Sequence, residues 1–408
     1  MAITNGPLSD IRVIDMSQAH AGPFGSMLLG DLGAEIIKLE PPTGDLIRFG
    51  DPNVTTFNYY VLSLNRNKKS IILDIKSELG KKAFCDLVKK SDVVYSNFRA
   101  GVPKRQGSDY ETLKKINPDI IRCNISGYGE TGPYAAYPAY DIIACGHSGL
   151  LSISGDPENN KAVIPGGIAF ADMMGGIFGA LSVLSALISR DKDKTGVEAN
   201  ANLLDSLIFM QKVMFQHFFS GGGEPGFQGN RHTILPTYGI FPTKDGNITI
   251  APPTNDNLLI EVMGLGWMLE DTKFDSVVSR VINRPEFTEI FEKKMLEKTT
   301  DEWVKIFRDE NDIPSGPVLD YDDIANDPQV AHNEMVKEME LKGEKYKTIG
   351  SVFKFSDPIK GEAEPAPDLG QHTSEILKNI LGYSDEIIEK IKIESDAAKS
   401  KMKSYKEG

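Results

Sequence analysis

Cysteine is scarce in this chain. Its three residues, Cys85, Cys123 and Cys145, are an odd number, widely spaced, with no CxxC pair among 408 residues. That excludes a disulfide framework and a thiolate metal knuckle, and it fits a reducing compartment, so a cytoplasmic location is expected. Positive charge is also short. The formal net charge of −13 argues against general nucleic-acid binding, and an anionic ligand would have to be met by a local basic site rather than by the overall field. Every long apolar run is broken by glycine or an acid, so none reads as a membrane span. The opening MAITNGPLSD lacks a basic end followed by an apolar core, and no signal peptide is expected. No GxGxxG follows the first strand, and GxxxxGK[ST], HExxH and GxSxG with triad partners are missing. The six histidines, His20, His147, His217, His232, His332 and His372, show no spacing suited to a metal. Neither a metal nor a nucleotide redox cofactor is therefore expected.

What is present is an ordinary globular composition, 40% apolar and 25% charged, long enough for two domains. Ile11–Met16 reads as a first strand, followed by a turn, a helix over Phe24–Leu32 and a second strand at Glu35–Glu40. That is a βαβ unit, which implies a parallel sheet. Further strands are predicted at Ser70–Asp74, Asp92–Tyr95 and Ile120–Asn124, with an amphipathic helix over Glu78–Lys90 whose apolar face is Leu79, Ala83, Leu87 and Val88. The pattern is α/β, a large Rossmann-like parallel-sheet domain plus a smaller α+β domain. Residues 1–220 are assigned to the large domain and 229–328 to the small one, with 329–408 a C-terminal segment returning to the large domain. A helix is expected over Asn202–His217, and the glycine-rich Ser220–Gly226 marks the boundary. Later come a hairpin of Tyr238–Pro242 with Asn247–Ile250, and helices at Asn255–Met263, Pro285–Lys298 and Thr300–Arg308. Lys342–Phe355 is partly strand-like. Terminal helices are placed at Glu375–Leu381 and Asp385–Lys392, with a frayed lysine-rich tail.

One stretch carries chemical interest by itself. Val163–Leu187 is glycine-rich and apolar, with helical spacing of Ile177, Leu181, Leu184 and Leu187, yet it contains an acid, Asp172. At the first turn of a helix such an acid can be a cap that accepts backbone N–H groups. That is the reading the local sequence favours; the other is a partly desolvated nucleophile, with the paired Gly175-Gly176 leaving room for a ligand.

A series of short motifs in one order decides more. Gly22-Pro23 is followed by Leu32–Glu40, Gly44-Asp45 and Arg48, then Asn65–Ser70 and Asn97-Phe98-Arg99-Ala100-Gly101. Next come Ser126-Gly127-Tyr128-Gly129, Tyr140-Asp141, Ser148-Gly149 and Asp172 with Gly175-Gly176. The series closes with Gly229-Asn230-Arg231, Ile313–Val318 and Leu369–Thr373. In this series the chain resembles the family III coenzyme A transferases, of formyl-CoA transferase and carnitine CoA-transferase type, over nearly its whole length.

The resemblance implies that Asp172 attacks a donor thioester to give a mixed anhydride, that CoA thiolate then forms an aspartyl-CoA thioester, and that an acceptor carboxylate takes the CoA. It implies Lys76, Asn97, Phe98 and Arg105 for binding coenzyme A. His20, Tyr60 and Tyr140 are implied around the reacting carboxylate, with His20 standing where formyl-CoA transferase has Gln. It also implies an interlocked homodimer, or a heteromer with a related subunit. The racemases of this fold place His before the Asp of Tyr140-Asp141, so a 2-methylacyl-CoA racemase is the lesser alternative. A CoA-binding subunit of a heteromeric transferase is another. Arg231-His232 is not followed by the glycine loop of oxalate-using members. Arg231, His232, His20 and Arg48 are then candidates to pair with the distal carboxylate of a dicarboxylic acid. The overall pattern is similar to the arylsuccinate branch of anaerobic aromatic degradation, with succinyl-CoA as donor and a benzylsuccinate-like acceptor.

Overall fold

The structure, a computed structural model, describes residues 5–49, 58–157, 159–164, 166–193, 195–227, 229–230, 232, 234–252, 256–359, 361 and 363–407. The chain forms two compact units. The first comprises Met1–Leu150, Gly166–Phe215 and Glu334–Gly408, and the second Leu151–Pro165 and Gln216–Asn333.

The first unit starts with β1 (Arg12–Asp15), α1 (Ala21–Asp31), β2 (Glu35–Glu40), α2 (Tyr59–Leu64), β3 (Lys68–Ile72), α3 (Glu78–Val88), β4 (Val93–Ser96), α4 (Val102–Gln106), α5 (Tyr110–Ile116), β5 (Ile121–Ser126) and α6 (Asp141–His147). A one-turn helix, α7 (Leu150–Ile153), leads into the second unit, to which the antiparallel pair β6 (Gly155–Asp156) and β7 (Lys161–Ala162) belongs. The chain then runs through α8 (Phe170–Asp193), β8 (Ala201–Asn202), α9 (Leu203–Met210) and α10 (Lys212–His217). The expected parallel α/β sheet is there: six strands in the order β3-β2-β1-β4-β5-β8, every pairing parallel. Its strands are buried along nearly their whole length, as expected of a parallel sheet, with polar residues such as Asp15, Lys38 and Lys68 buried among the apolar ones. Ile14, Ile37, Ile71 and Val94 form one core cluster with Phe84 and Leu87 of α3.

Helix α1 begins three residues before its predicted start, since Pro23 is tolerated in a first turn whose N–H groups have no partner anyway. The single helix expected over Asn202–His217 is broken at Gln211, whose side-chain amide donates back to Leu207 O and to Ser148 O. The C-terminal segment covers the edge of the sheet. Ser70 N–H donates to His372 Nδ1 (3.2 Å) and Ile72 N–H to Thr373 Oγ1 (3.1 Å), so the edge groups of β3 are paired by side chains rather than left open. Gly370 has φ +69°, and a Cβ there would lie 2.6 Å from Ile72 Cδ1, which accounts for glycine at that point of the Leu369–Thr373 motif.

In the second unit, β9 (Gly239–Pro242) and β10 (Asn247–Ile250) form the predicted hairpin, and β11 (Ser315–Pro317) extends it on the other side of β10. Helices α11 (Asn257–Val262), α12 (Val277–Ile282), α13 (Arg284–Met295), α14 (Thr300–Val304), α15 (Tyr321–Asn326) and α16 (Pro328–His332) accompany this sheet. Phe241, Ile248, Phe291, Trp303 and Phe307 lie in a separate core. Back in the first unit, β12 (Val336–Leu341) pairs antiparallel with β13 (Glu344–Ile349), a hairpin of which only the second strand was legible. Helices α17 (Thr373–Glu375) and α18 (Asp385–Glu407) close the chain. The tail predicted to fray after Lys392 continues as helix to Glu407, consistent with the strong helix formers Ala397, Ala398 and Lys399.

Candidate active site

In a sheet of order β3-β2-β1-β4-β5, the crevice for a ligand lies at the carboxyl ends of β1 and β4, where the order reverses. The loops leaving these strands carry Ser17–His20 and Asn97–Gly101. They are tied together by a reciprocal pair: Gln18 N–H donates to Asn97 Oδ1 (2.9 Å), and Asn97 Nδ2 donates to Gln18 O (2.7 Å). Asn97, expected to bind CoA, thus has its amide engaged in holding the first turn.

A buried charge network fixes that turn from below. Lys38 Nζ donates to Ser17 O (3.0 Å) and Asp45 Oδ2 (2.9 Å), while Asp45 Oδ1 accepts Ala19 N–H (3.0 Å). Asp15 accepts from the Ser17 and Ser26 hydroxyls and from Lys68 Nζ. Burial would raise the Asp15 carboxyl, but Lys68 and Lys38 with the two hydroxyls bring it down to about 2. Ala19 adopts φ +62°, uncommon for a residue with a Cβ. The network holds this conformation, and His20 follows it directly as the cap residue of α1.

His20 is half-buried and meets the ring of Tyr60 edge-on, with centroids 6.4 Å apart. Burial holds the imidazole below its ordinary range against the opposing charge of Asp141. Tyr60 itself is 41% exposed and Tyr140, the cap residue of α6, 67% exposed. Asp172 lies in the first turn of α8, half-buried. Burial first, and the Asp141 carboxylate second, raise its carboxyl to about 7. Among the described residues no hydrogen bond reaches that carboxylate. The N–H groups opening α8 go elsewhere: Ala171 N–H donates to Asp141 Oδ1 at 2.7 Å and Asp172 N–H to the same oxygen at 3.3 Å. Cap and free carboxylate are therefore two different acids. The structure brings His20, Tyr60, Asp141 and Asp172 to one place.

The remaining expected residues are distributed differently. Phe98 is half-buried, its ring packed against the core cluster of β1 to β4 and its main chain bonded to the Asn124 amide. Lys76 is exposed in the loop after β3, and Arg105 is exposed on α4. A Cβ on Gly101 would lie 3.4 Å from Arg105 Nη1, so the guanidinium lies over the turn that opens α4. Arg48, expected to meet a substrate carboxylate, instead forms a fork-to-fork pair with buried Glu40 (Nε to Oε2 and Nη2 to Oε1, both 2.6 Å), and its Nη1 donates to Pro367 O. This geometry makes Arg48 a fastener between the end of β2 and the C-terminal segment. Arg231 lies outside the described residues, and His232 N–H donates to Tyr238 O in the second unit.

Gly175 and Gly176 serve helix packing. A Cβ at 175 would lie 2.7 Å from Leu203 Cδ2, and one at 176 would lie 2.7 Å from Ala21 O. Helix α8 is long and apolar enough to cross a membrane by length and composition alone. Its buried side, which includes Ala171, Ala180, Val183 and Leu187, packs on α1, α9 and β5. Sequence reasoning gave Asp141 no role. Its visible signal was the Tyr140-Asp141 motif, and what that acid caps lies thirty residues further along the chain.

The model of CoA-transferase family III matches residues 8–373. A succinyl-CoA:glutarate CoA-transferase from Mus musculus is 37% identical over 395 residues, covering 94% of this chain and 89% of that protein. A succinate–glutarate CoA-transferase from Agrobacterium fabrum is 31% identical over 388 residues, covering 92% of this chain and 96% of its own length. Among solved structures, a CAIB/BAIF family protein from Brucella suis superposes with a TM-score of 0.81 at 30% identity, covering 92% of this chain and 100% of that one.

Proposed function

The chain belongs to CoA-transferase family III, and from that premise we propose that it moves CoA from succinyl-CoA to a short dicarboxylic acid through covalent intermediates on Asp172. The observation that carries this reading is a half-buried carboxylate in the first turn of α8 with no hydrogen bond from its own helix. In the first step an Asp172 oxygen adds to the thioester carbonyl, the C–S bond breaks, and CoA leaves as thiolate. The thiolate then adds to the aspartyl carbonyl of the mixed anhydride and expels succinate, giving an aspartyl-CoA thioester. An acceptor carboxylate expels the thiolate again, forming a second anhydride. Attack of the thiolate on the acceptor carbonyl releases the new acyl-CoA and regenerates Asp172. Carboxylates are weak nucleophiles in water, and fixed orientation with partial desolvation compensates. Lys76 and Arg105 are the exposed cations proposed for the CoA phosphates, with Asn97 and Phe98 beside the first turn.

Relatives acting on glutarate support an aliphatic C4–C5 dicarboxylate as acceptor ahead of a benzylsuccinate-like acid. His20, Tyr60 and Tyr140 are proposed to line the acyl site. A panel of acyl-CoA donors against glutarate, mesaconate, malate, benzylsuccinate and oxalate, read by mass spectrometry, tests the assignment, and absence of exchange with every dicarboxylate would overturn it. Asp172→Asn is expected to lower turnover by roughly four orders of magnitude or more while CoA binding persists. Hydroxylamine trapping in the presence of donor should modify Asp172 alone. For assembly we propose a dimer, of this chain or with a related subunit. Leu181, Ile188, Phe209 and Val213, all more than half exposed, support an apolar interface. A second, similar chain co-purifying at equal stoichiometry would decide for the heteromer.

A further inference from the structure

Two helix starts meet on Asp141. It stands in the first turn of α6, and its Oδ1 accepts the N–H groups of Ala171 and Asp172 at the start of α8 (2.7 and 3.3 Å). Its Oδ2 lies 3.8 Å from Cys145 Sγ, one turn along α6. We propose that Asp141 is a positioning residue for Asp172, taking up the N–H groups that open α8 so that the Asp172 carboxylate faces the substrate unbonded by its own helix. This rests on the reading of Asp172 as the nucleophile.

The physical reason lies in competition for donors. An acid in the first turn of a helix is well placed to accept terminal N–H groups, and a carboxylate that accepts two or three of them is strongly acidic and correspondingly unreactive. Ala169 precedes α8 and has no side-chain oxygen to do the capping. Asp141 supplies that oxygen from another helix. Its charge also acts on Asp172, adding to burial in favouring the proton and so making the ionised form a stronger base and nucleophile. The other titratable groups on the packed elements do not duplicate this. Burial keeps the Cys145 thiol protonated, pushed up to about 11, and His20 is held below its ordinary range. Asp205 of α9 is bonded to Asn202, Asp31 of α1 is held by Arg66, and Arg122 of β5 by Glu130 and Glu198.

Asp141→Asn keeps an oxygen acceptor and removes the charge; Asp141→Ala removes both. The readout is exchange of labelled succinate into succinyl-CoA between pH 5 and 9, which needs only the donor. Wild type should show an acid limb near pH 7, following Asp172 ionisation. Asp141→Asn should move that limb down by about one unit and keep most of the plateau. Asp141→Ala should move it further and lower the plateau about tenfold or more, because the freed N–H groups then bond the nucleophile. Variants that bind CoA normally yet superpose on the wild-type profile would overturn the proposal, and an unshifted Asp141→Asn is enough to do so if the alanine variant does not fold. Asp172→Asn run beside them separates the two claims. Retained exchange there sinks the nucleophile itself, whereas a dead Asp172→Asn with unshifted Asp141 variants sinks only the positioning role.

Discussion

At the scale of single residues, the nucleophile role proposed for Asp172 sets activity against stability. Its carboxyl is raised to about 7 by burial and by Asp141, against roughly 3.9 in an unfolded chain. Between those values the folded protein holds a proton that the unfolded chain has released, so stability falls as pH rises. The contribution is fully present below about pH 4 and gone above about pH 7, the range where the ionised carboxylate is available to react. At about 1.4 kcal/mol per unit, the difference amounts to roughly 4 kcal/mol. Asp172→Asn, of nearly the same shape and without a charge, should therefore be more stable than wild type at pH 8 by that order, with the gap closing toward pH 4. Urea unfolding at the two pH values measures it. A gap that does not change with pH would mean that the carboxyl is not perturbed in the fold.

Among the elements, the seam between α1 and α8 is built on glycine. Besides the contact of Gly176 with Ala21 O, a Cβ on Gly25 would lie 2.1 Å from the Tyr95 hydroxyl, and one on Gly179 would lie 2.5 Å from it. Gly176→Ala meets main chain rather than a flexible side-chain end, so α8 must move. We expect a loss of about 1–3 kcal/mol in stability and, because Asp172 rides on the same helix, a fall in turnover with little change in CoA binding. Thermal unfolding with a kcat and KM comparison checks both. This seam also shows what a sequence can and cannot reveal. The strand Glu35–Glu40 was legible to the residue, because Gly33-Ala34 ends the preceding helix and the βαβ pattern calls for a second strand there. The roles of Gly175-Gly176 were not, since close packing and ligand access leave the same local pattern. Arg48 reads as a free cation in the sequence, and only the fold brings Glu40 and Pro367 to it. The order of the motifs singled out Asp172, and the structure places it in the first turn of α8. That it leaves the capping of its own helix to Asp141 depends on a contact across thirty residues, which no local period encodes.

At the scale of the whole molecule, the two units carry separate reporters. The candidate site residues His20, Tyr60, Asp141 and Asp172 belong to the first unit, and both tryptophans of the chain, Trp267 and Trp303, belong to the second. Turnover thus reads one unit and tryptophan emission the other. The second unit depends on its own buried ion pair: Arg280 Nη2 and Asp256 Oδ1 are 2.5 Å apart with both side chains almost fully buried, and Thr237 Oγ1 donates to the other oxygen of the same acid. Removing one member of such a pair leaves a charge in a medium of low dielectric, at a cost of about 3–5 kcal/mol. Arg280→Met keeps most of the buried volume but strands Asp256. Its tryptophan-detected denaturation midpoint should fall by an amount corresponding to that energy, and most of the loss should return in Arg280→Met combined with Asp256→Asn, where no charge remains to be buried. A double variant as unstable as the single one would show that the arginine contributes through packing along its stem and not through the charge it neutralises.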